Sequence, residues 1–539
     1  CFKNQESKTM NNDYELLETF QKDNETWSYL RHKKTGLEIA YHQYETQESG
    51  FSFTFRTPVE DQYLGTSHVL EHCVLMGSRK YDVDFWEWQS FALFTSSNAS
   101  TGEFGTTYFF NSINEAEVFK IIPILADYIF FPTLTEEAFM QECFHVEFDA
   151  NGDGRKKDIV GVVYNEMRAR SPETYCVGGI YYKLHELTNE KIREYHKKYY
   201  RPDNCLFFYD GTSTLDDVLL QLNKFIQDLE EKFQTPVPQR NNCSIKDFLQ
   251  KQVGKETSES FEEYWSANNA VFVLEPVPPK KSVTKIISEY LSQFTPQEYQ
   301  EKLEKLHKRQ ARDLRETAYT IMAPHNILNY EMDANRDEES LWKDFEGHKR
   351  EIEARDRKHP DVYTELEKNS CKLYLRASQL LSREYYAEYA LMFFMQYYFP
   401  TKLRKLGRLY TGSFSYKYPA DFVLAAHATD KPEKTIQFIK DCFKEIADYN
   451  FTDKDLISIR YIIFSFLLSE SHPQFYFTDE ILSIKTEELH QAAVRFCNMI
   501  YPPEKTSKDE GEFYRLGDVF NGFEKKLNHV IILKGIYVK

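Results

Sequence analysis

His68-Val69-Leu70-Glu71-His72 is the stretch on which the reading of this sequence turns. It follows Leu64-Gly65-Thr66-Ser67, where Thr66 or Ser67 is suited to cap a helix. Residues four apart on a helix stand one above the other. His68 and His72 therefore direct their imidazoles at one spot, as two ligands of a tetrahedral zinc do. Glu71 lies on nearly the same face, where it can hold a water at the metal and take its proton. The order H-x-x-E-H inverts the commoner H-E-x-x-H. A hydrolytic zinc site needs a third protein ligand, and Gly161-Val162-Val163-Tyr164-Asn165-Glu166-Met167 offers Glu166. Taken alone, Glu166 sits in a helix with an apolar start and faces either solvent or a site.

Outward from the motif, residues 27–57 read as short strands with turns at Lys34-Thr35-Gly36 and Glu48-Ser49-Gly50. Phe51-Ser52-Phe53-Thr54-Phe55 alternates strictly, which predicts a half-buried strand. Thr106–Ile113 reads as another strand and Glu115–Tyr128 as an amphipathic helix. A Thr-capped helix is expected from Thr135. The same order recurs later: strand Phe422–Ala426, helix Pro432–Tyr449, then a Thr-capped helix from Thr452. The string Ala126-Asp127-Tyr128-Ile129-Phe130 returns as Ala447-Asp448-Tyr449-Asn450-Phe451, 321 residues on. The pattern predicts an internal repeat of an α+β unit.

Between the copies, Pro276-Val277-Pro278-Pro279 reads as a linker after a strand-like run, Ala270–Leu274. Thr295-Pro296-Gln297-Glu298 is a capping box, with Phe294 and Tyr299 as its hydrophobic staple. The helix that follows, and the stretch Asp333–Lys358, are rich in Glu, Lys and Arg and read as a solvated helical connector. Asp149-Ala150-Asn151-Gly152-Asp153-Gly154 imitates half a calcium loop. Val160 stands where such a loop needs a bidentate Glu, so it reads as a turn.

The chain has 539 residues, 67 Lys+Arg against 84 Asp+Glu, and a formal charge of -17. An acidic balance argues against a general nucleic-acid binder and suits basic partners. Hydrophobic residues at 41% mark a core-forming globular protein. Nine scattered cysteines without CxxC pairs read as reduced thiols. No apolar run reaches the ~18 residues needed to span a bilayer; Tyr461–Leu468 reads as buried helix. The chain begins at Cys1 rather than Met, and sequence upstream is expected.

Together Phe55-Arg56-Thr57-Pro58, the run His68–Tyr81, Asn98-Ala99, Phe130-Phe131-Pro132 and Gly161–Met167 resemble the inverted-motif zinc peptidases of the pitrilysin/insulysin superfamily. The presequence protease and falcilysin branch is the most similar, and the 94 residues from His72 to Glu166 suit its spacing. Near the C-terminus, Leu403-Arg404-Lys405-Leu406-Gly407-Arg408-Leu409-Tyr410 resembles the family's Arg-x-x-Gly-x-x-Tyr element. Arg408, Leu409 and the following Thr411 depart from its small residues.

The resemblance implies an α+β fold of the LuxS/peptidase-like kind: repeated antiparallel sheets backed by helices and joined by the charged connector. It implies zinc, one per chain, on His68, His72 and Glu166, with Glu71 as the catalytic acid–base. Arg404 and Tyr410 would donate to the substrate carbonyl. Asn98 and Ala99 would belong to an edge strand against which a peptide adds. The implied function is a metalloendopeptidase degrading unstructured, targeting-sequence-like peptides inside a closed chamber. Its setting would be a mitochondrial or plastid interior, or a bacterial cell. A catalytically inactive member, serving as structural subunit or peptide binder, is the alternative.

The resemblance covers about 25–235 well and about 370–470 loosely, whereas the family runs to four related domains. The expected divisions are an N-terminal extension (1–25), a catalytic domain (26–240), linker and connector (241–368) and a C-terminal non-zinc domain (369–539). The chain is thus either shortened or a piece of something longer. A homodimer or partner half would complete the chamber, with Arg404 and Tyr410 acting in trans.

Overall fold

The computed structural model describes residues 13–538, leaving out 61–63, 149–156, 171–176, 234–242, 253–259, 268–282, 313, 323–329, 335–360, 379–381, 406–410, 418–420, 430, 469–475, 478–482 and 503–530. The linker around Pro276–Pro279, the calcium-like turn, Tyr410 and nearly all of the stretch Asp333–Lys358 lie outside the described residues. The chain divides into two compact units. The first comprises Cys1–Phe85, Leu93–Ile159 and Pro172–His307, and the second Trp86–Ala92, Val160–Ser171 and Lys308–Lys539.

The first unit is built on a seven-stranded sheet. Its strands are β1 (Tyr14–Lys22), β2 (Glu25–His32), β3 (Glu38–Gln43), β4 (Ser49–Arg56), β5 (Ser96–Thr101), β6 (Gly105–Ser112) and one from late in the chain, Cys205–Gly211. The order across the sheet is β1, β2, β3, Cys205–Gly211, β4, β6, β5. Neighbours are antiparallel except β3 and Cys205–Gly211, which run parallel. The sheet is thus antiparallel, as expected, apart from this one parallel pair. Tyr14–Lys22, read from the sequence as part of an N-terminal extension, pairs along its length with β2.

Phe51–Phe55 is not half-buried: every residue of the alternation is buried. Phe53 packs edge-on against Phe130 and Phe225 on one face of the sheet. On the other face Ser52 Oγ donates to Glu262 at 2.8 Å, and Thr54 bonds Thr107 at 2.9 Å. Helices 245–252 and 261–267 cover that second face, where Trp27, Tyr29, Phe248, Phe261 and Trp265 form one core. Short hydroxyl side chains satisfied by neighbours can be buried at little cost.

The helix α1 (Thr66–Val74) is wholly buried. Its cap is Gly65, in a left-handed conformation (φ 62), and no side chain bonds its first turn. Neither Thr66 nor Ser67 is the cap. A Cβ on Gly65 would meet Gly178 O at 2.3 Å, so close backbone approach requires glycine here. After α2 (Phe85–Gln89), the helix α3 (Glu115–Phe130) runs from a capping Asn114. Near its end, Asp127 accepts from Ser78 Oγ at 2.7 Å, Arg79 at 2.8 Å and Lys80 N at 3.0 Å. The loop leaving α1 is thereby fixed to α3. The helix α4 (Glu136–Glu142) is capped by Thr135 as expected.

The second unit carries a four-stranded antiparallel sheet in the order 362–366, 370–376, 421–427, 411–417. Helices 383–405, 432–447 and 486–500 supply its core, with Phe393, Leu424, Phe443 and Phe496 fully buried. Strand 421–427, helix 432–447 and helix 453–468 repeat the order β6, α3, α4. The repeated pentapeptide does not repeat its work: Asp127 is a buried anchor, whereas Asp448 is exposed. In the first unit, Thr295 caps helix 296–310: its Oγ1 accepts from Glu298 N at 3.3 Å and donates to Glu298 Oε2 at 2.7 Å, in place of the reciprocal backbone bond of the expected capping box. Phe294 and Tyr299 meet edge-on at 5.1 Å as its staple. The described cysteines Cys73, Cys143, Cys205, Cys243, Cys371, Cys442 and Cys497 are free thiols.

Candidate metal centre

α1 brings His68 and His72 together with ring centroids 4.9 Å apart and planes nearly perpendicular (86°). Glu166 lies on the helix α5 (Val162–Ala169), and its side chain is almost completely buried. One ligand atom from each of His68, His72 and Glu166 lies within 4.8 Å of the others. Two imidazoles and a carboxylate at that mutual distance match the donor set of a hydrolytic zinc site. Burying three such groups around one point, rather than dispersing them, suits a bound divalent cation.

Two further contacts organise the cluster. His72 Nδ1 lies 3.0 Å from Glu142 Oε2. An imidazole that gives one ring N–H to a carboxylate holds its other nitrogen ready as a ligand. Glu142 is itself fully buried and accepts from Gln141 Nε2 at 3.3 Å. Glu166 Oε1 pairs with Arg170 Nη2 at 2.6 Å, one helical turn on.

Glu71 is buried on the same helix, and Thr101 Oγ1 donates to its Oε2 at 2.6 Å. Tyr108 and Tyr200 share a 2.8 Å hydroxyl–hydroxyl bond nearby. Burial first, then each other and the negative charge of Glu71, push the Tyr108 hydroxyl well above its ordinary pKa. That tyrosine stays neutral beside the carboxylate.

Thr101 belongs to β5, which lies at the sheet edge. Asn98 and Ala99 are in the same strand, and Asn98 is exposed with its Oδ1 accepting from Ala99 N at 2.9 Å. Arg404 lies in the last turn of helix 383–405, and its guanidinium sits 4.8 Å over the Trp86 ring. Tyr410 is outside the described residues.

Sequence reasoning missed Glu142 and Thr101. Glu142 ends a short capped helix and reads as solvent-facing; only the tertiary fold turns it to His72. Thr101 sits in a run of small polar residues that carries no chemical signal.

Parts of the chain are similar to known proteins. Residues 59–155 match the family model described as insulinase (peptidase family M16). Residues 186–259 match the model described as peptidase M16 inactive domain. Presequence protease 1, chloroplastic/mitochondrial, of Arabidopsis thaliana is 34% identical over 240 residues, covering 40% of this chain and 22% of that protein. The mitochondrial presequence protease of Mus musculus is 33% identical over 217 residues, covering 36% and 21%. Protein HypA of Clostridium perfringens is 32% identical over 227 residues, covering 38% and 23%. The chain thus spans about a fifth of the length of the curated relatives it matches. Among solved structures, a protease from Helicobacter pylori is 12% identical with a TM-score of 0.32, covering 94% of this chain and 96% of its own. Pitrilysin is 12% identical with a TM-score of 0.31, covering 97% and 51%.

Proposed function

We propose, from a chain that carries M16 peptidase domains related to those of presequence proteases, that it is a zinc-dependent metalloendopeptidase acting on unstructured peptides. The observation that carries this reading is the mutual approach of His68, His72 and Glu166 with Glu71 on the same helix.

His68, His72 and Glu166 would hold one zinc per chain, with Glu142 orienting His72. Bound zinc lowers the pKa of water to about 7 and polarises a carbonyl. Glu71 would take the proton of the attacking water and return it to the leaving amine. Thr101 keeps the Glu71 carboxylate in one orientation while it does so. The exposed edge of β5 at Asn98 and Ala99 would accept the peptide as an added strand, so extended chains bind and folded ones do not. Arg404 and Tyr410 would donate to the developing oxyanion, as the resemblance implies. Basic, targeting-sequence-like peptides suit the net charge of -17. A closed chamber, completed by a second copy or a partner half, would select by size. An organelle interior or a bacterial cell is the proposed setting, since relatives bear mitochondrial, chloroplastic and bacterial names.

A catalytically inactive peptide-binding or structural subunit is the second reading. The departures of Arg408, Leu409 and Thr411 from the small residues of the family's Arg-x-x-Gly-x-x-Tyr element favour it.

The test joins metal analysis to peptide digestion. The enzyme reading expects about one zinc per chain, cleavage of an unstructured basic peptide, and loss of cleavage with chelator. Glu71→Gln should retain zinc and lose about 10²–10⁴ in rate. Full activity in Glu71→Gln overturns the role given to Glu71. Zinc without turnover supports the binder.

A further inference from the structure

The second unit contains a cavity of about 460 Å³ that the metal cluster does not use. That volume falls in the range of small-molecule sites, commonly about 300–1,000 Å³. Its walls are aromatic: Trp86, Phe394, Tyr397, Tyr398 and Tyr449 all line it. Phe394 and Tyr398 stack at 5.4 Å, and Phe394 meets Tyr449 at 5.7 Å. Such faces favour a ligand with an aromatic or aliphatic body.

The charged groups facing the cavity are unequal. Arg312, Arg315 and Lys402 line it against a single carboxylate, Glu87, among the described lining residues. For Arg315 and Lys402 the counter-ions, Asp455 and Glu445, are not among the lining residues. Arg315 Nη2 pairs with Asp455 at 2.7 Å and its Nη1 donates to Tyr449 at 3.0 Å. Its guanidinium also lies 4.7 Å over Phe394. Lys402 is held by Glu445. Arg315 and Lys402 are therefore ordered before any ligand arrives, and a planar guanidinium fork suits a carboxylate. Glu87, nearly fully buried, is an acceptor suited to amide N–H groups.

We propose that this cavity binds the C-terminal end of a short apolar peptide, recognising its free carboxylate through Arg312 and Arg315 and its side chains through the aromatic walls. Part of the charged connector thereby acquires a role: Arg312 and Arg315 supply the cationic wall. Such a site would hold a peptide end, or a cleavage product, without metal or turnover, so it stands apart from the peptidase reading.

Calorimetric titration of the full chain tests it, with N-acetyl-Leu-Phe as free acid, the same peptide as C-terminal amide, and ATP as a non-peptide anion. The free acid should bind at least tenfold more tightly than the amide and than ATP. Arg312→Gln should weaken the acid tenfold or more and leave the amide unchanged. Thr401→Phe, which fills the cavity from helix 383–405, should abolish binding while circular dichroism and melting temperature stay near wild type. Equal binding of acid and amide overturns the carboxylate recognition. Preference for ATP, no binding of the acid, or binding undiminished in a folded Thr401→Phe overturns the site.

Discussion

Thr101 Oγ1 donates a 2.6 Å hydrogen bond to Glu71 Oε2, which ties the carboxylate of α1 to the last residue of the edge strand. A hydrogen bond to a charged group contributes about 1.5–3 kcal/mol. The bond fixes which lone pairs of Glu71 remain for chemistry, and it couples that choice to the position of β5.

Thr101→Val keeps the side-chain shape and deletes the hydroxyl. On the proposed function, kcat should fall about 10- to 100-fold, matching that energy. Zinc content should not change, because Thr101 is not one of the three proposed ligands. Steady-state kinetics beside elemental analysis decides; loss of zinc would place Thr101 in a structural role instead.

Glu142→Gln removes the negative charge that meets His72 Nδ1. Zinc affinity should drop by about 10- to 100-fold. Competition with a calibrated chelator measures this. An unchanged affinity would mean that His72 needs no orienting partner.

Gly65→Ala should destabilise the first unit by more than about 2 kcal/mol, since both a left-handed backbone and a backbone clash oppose it. Gly179→Ala approaches the same contact from the other side, where a Cβ would lie 2.7 Å from Gly65 N. Urea denaturation of both variants should give losses that are not additive, because they strain one contact.

Two groups contribute to the acid stability in separate pH windows. Burial lowers the His196 pKa from its ordinary 6.5 to about 4, while its Nε2 bonds Ile129 O at 2.9 Å. Stability held by neutral His196 is present above about pH 6.5 and is lost as pH falls toward 4. Burial pushes Glu147 up, but His145 and His307, each 3.2 Å away, outweigh it and hold the carboxyl at about 2. Its contribution is present above about pH 4.5 and is lost as pH falls toward 2, worth on the order of 3 kcal/mol. Glu147→Gln should flatten the pH dependence of unfolding below pH 4.5 only. Denaturation midpoints across pH 2.5–7 would separate the two windows.

The local signals in the sequence translated well. The spacing of His68, Glu71 and His72, the Thr135 cap and the Phe294–Tyr299 staple depend on neighbours within one element, and the structure contains each. The polar half of the Phe51–Phe55 alternation misled because Ser52 finds its partner Glu262 on a helix 210 residues away in sequence, and Thr54 pairs with Thr107 of the neighbouring strand. Gly65 displaced Thr66 and Ser67 as cap because Gly178 crowds the turn from outside. Glu142 and Thr101 were invisible for the same reason: their partners are chosen by the fold and not by spacing.

β3 and β4 are neighbours in sequence, yet Cys205–Gly211 lies between them in the sheet. While the chain is being made, neither strand has that shared partner until residue 211 has left the ribosome. α1 follows β4 directly, so its histidines emerge on an unfinished scaffold. Maturation of this half must therefore await the late strand, and the nascent polypeptide is exposed to chaperones and proteases throughout that interval.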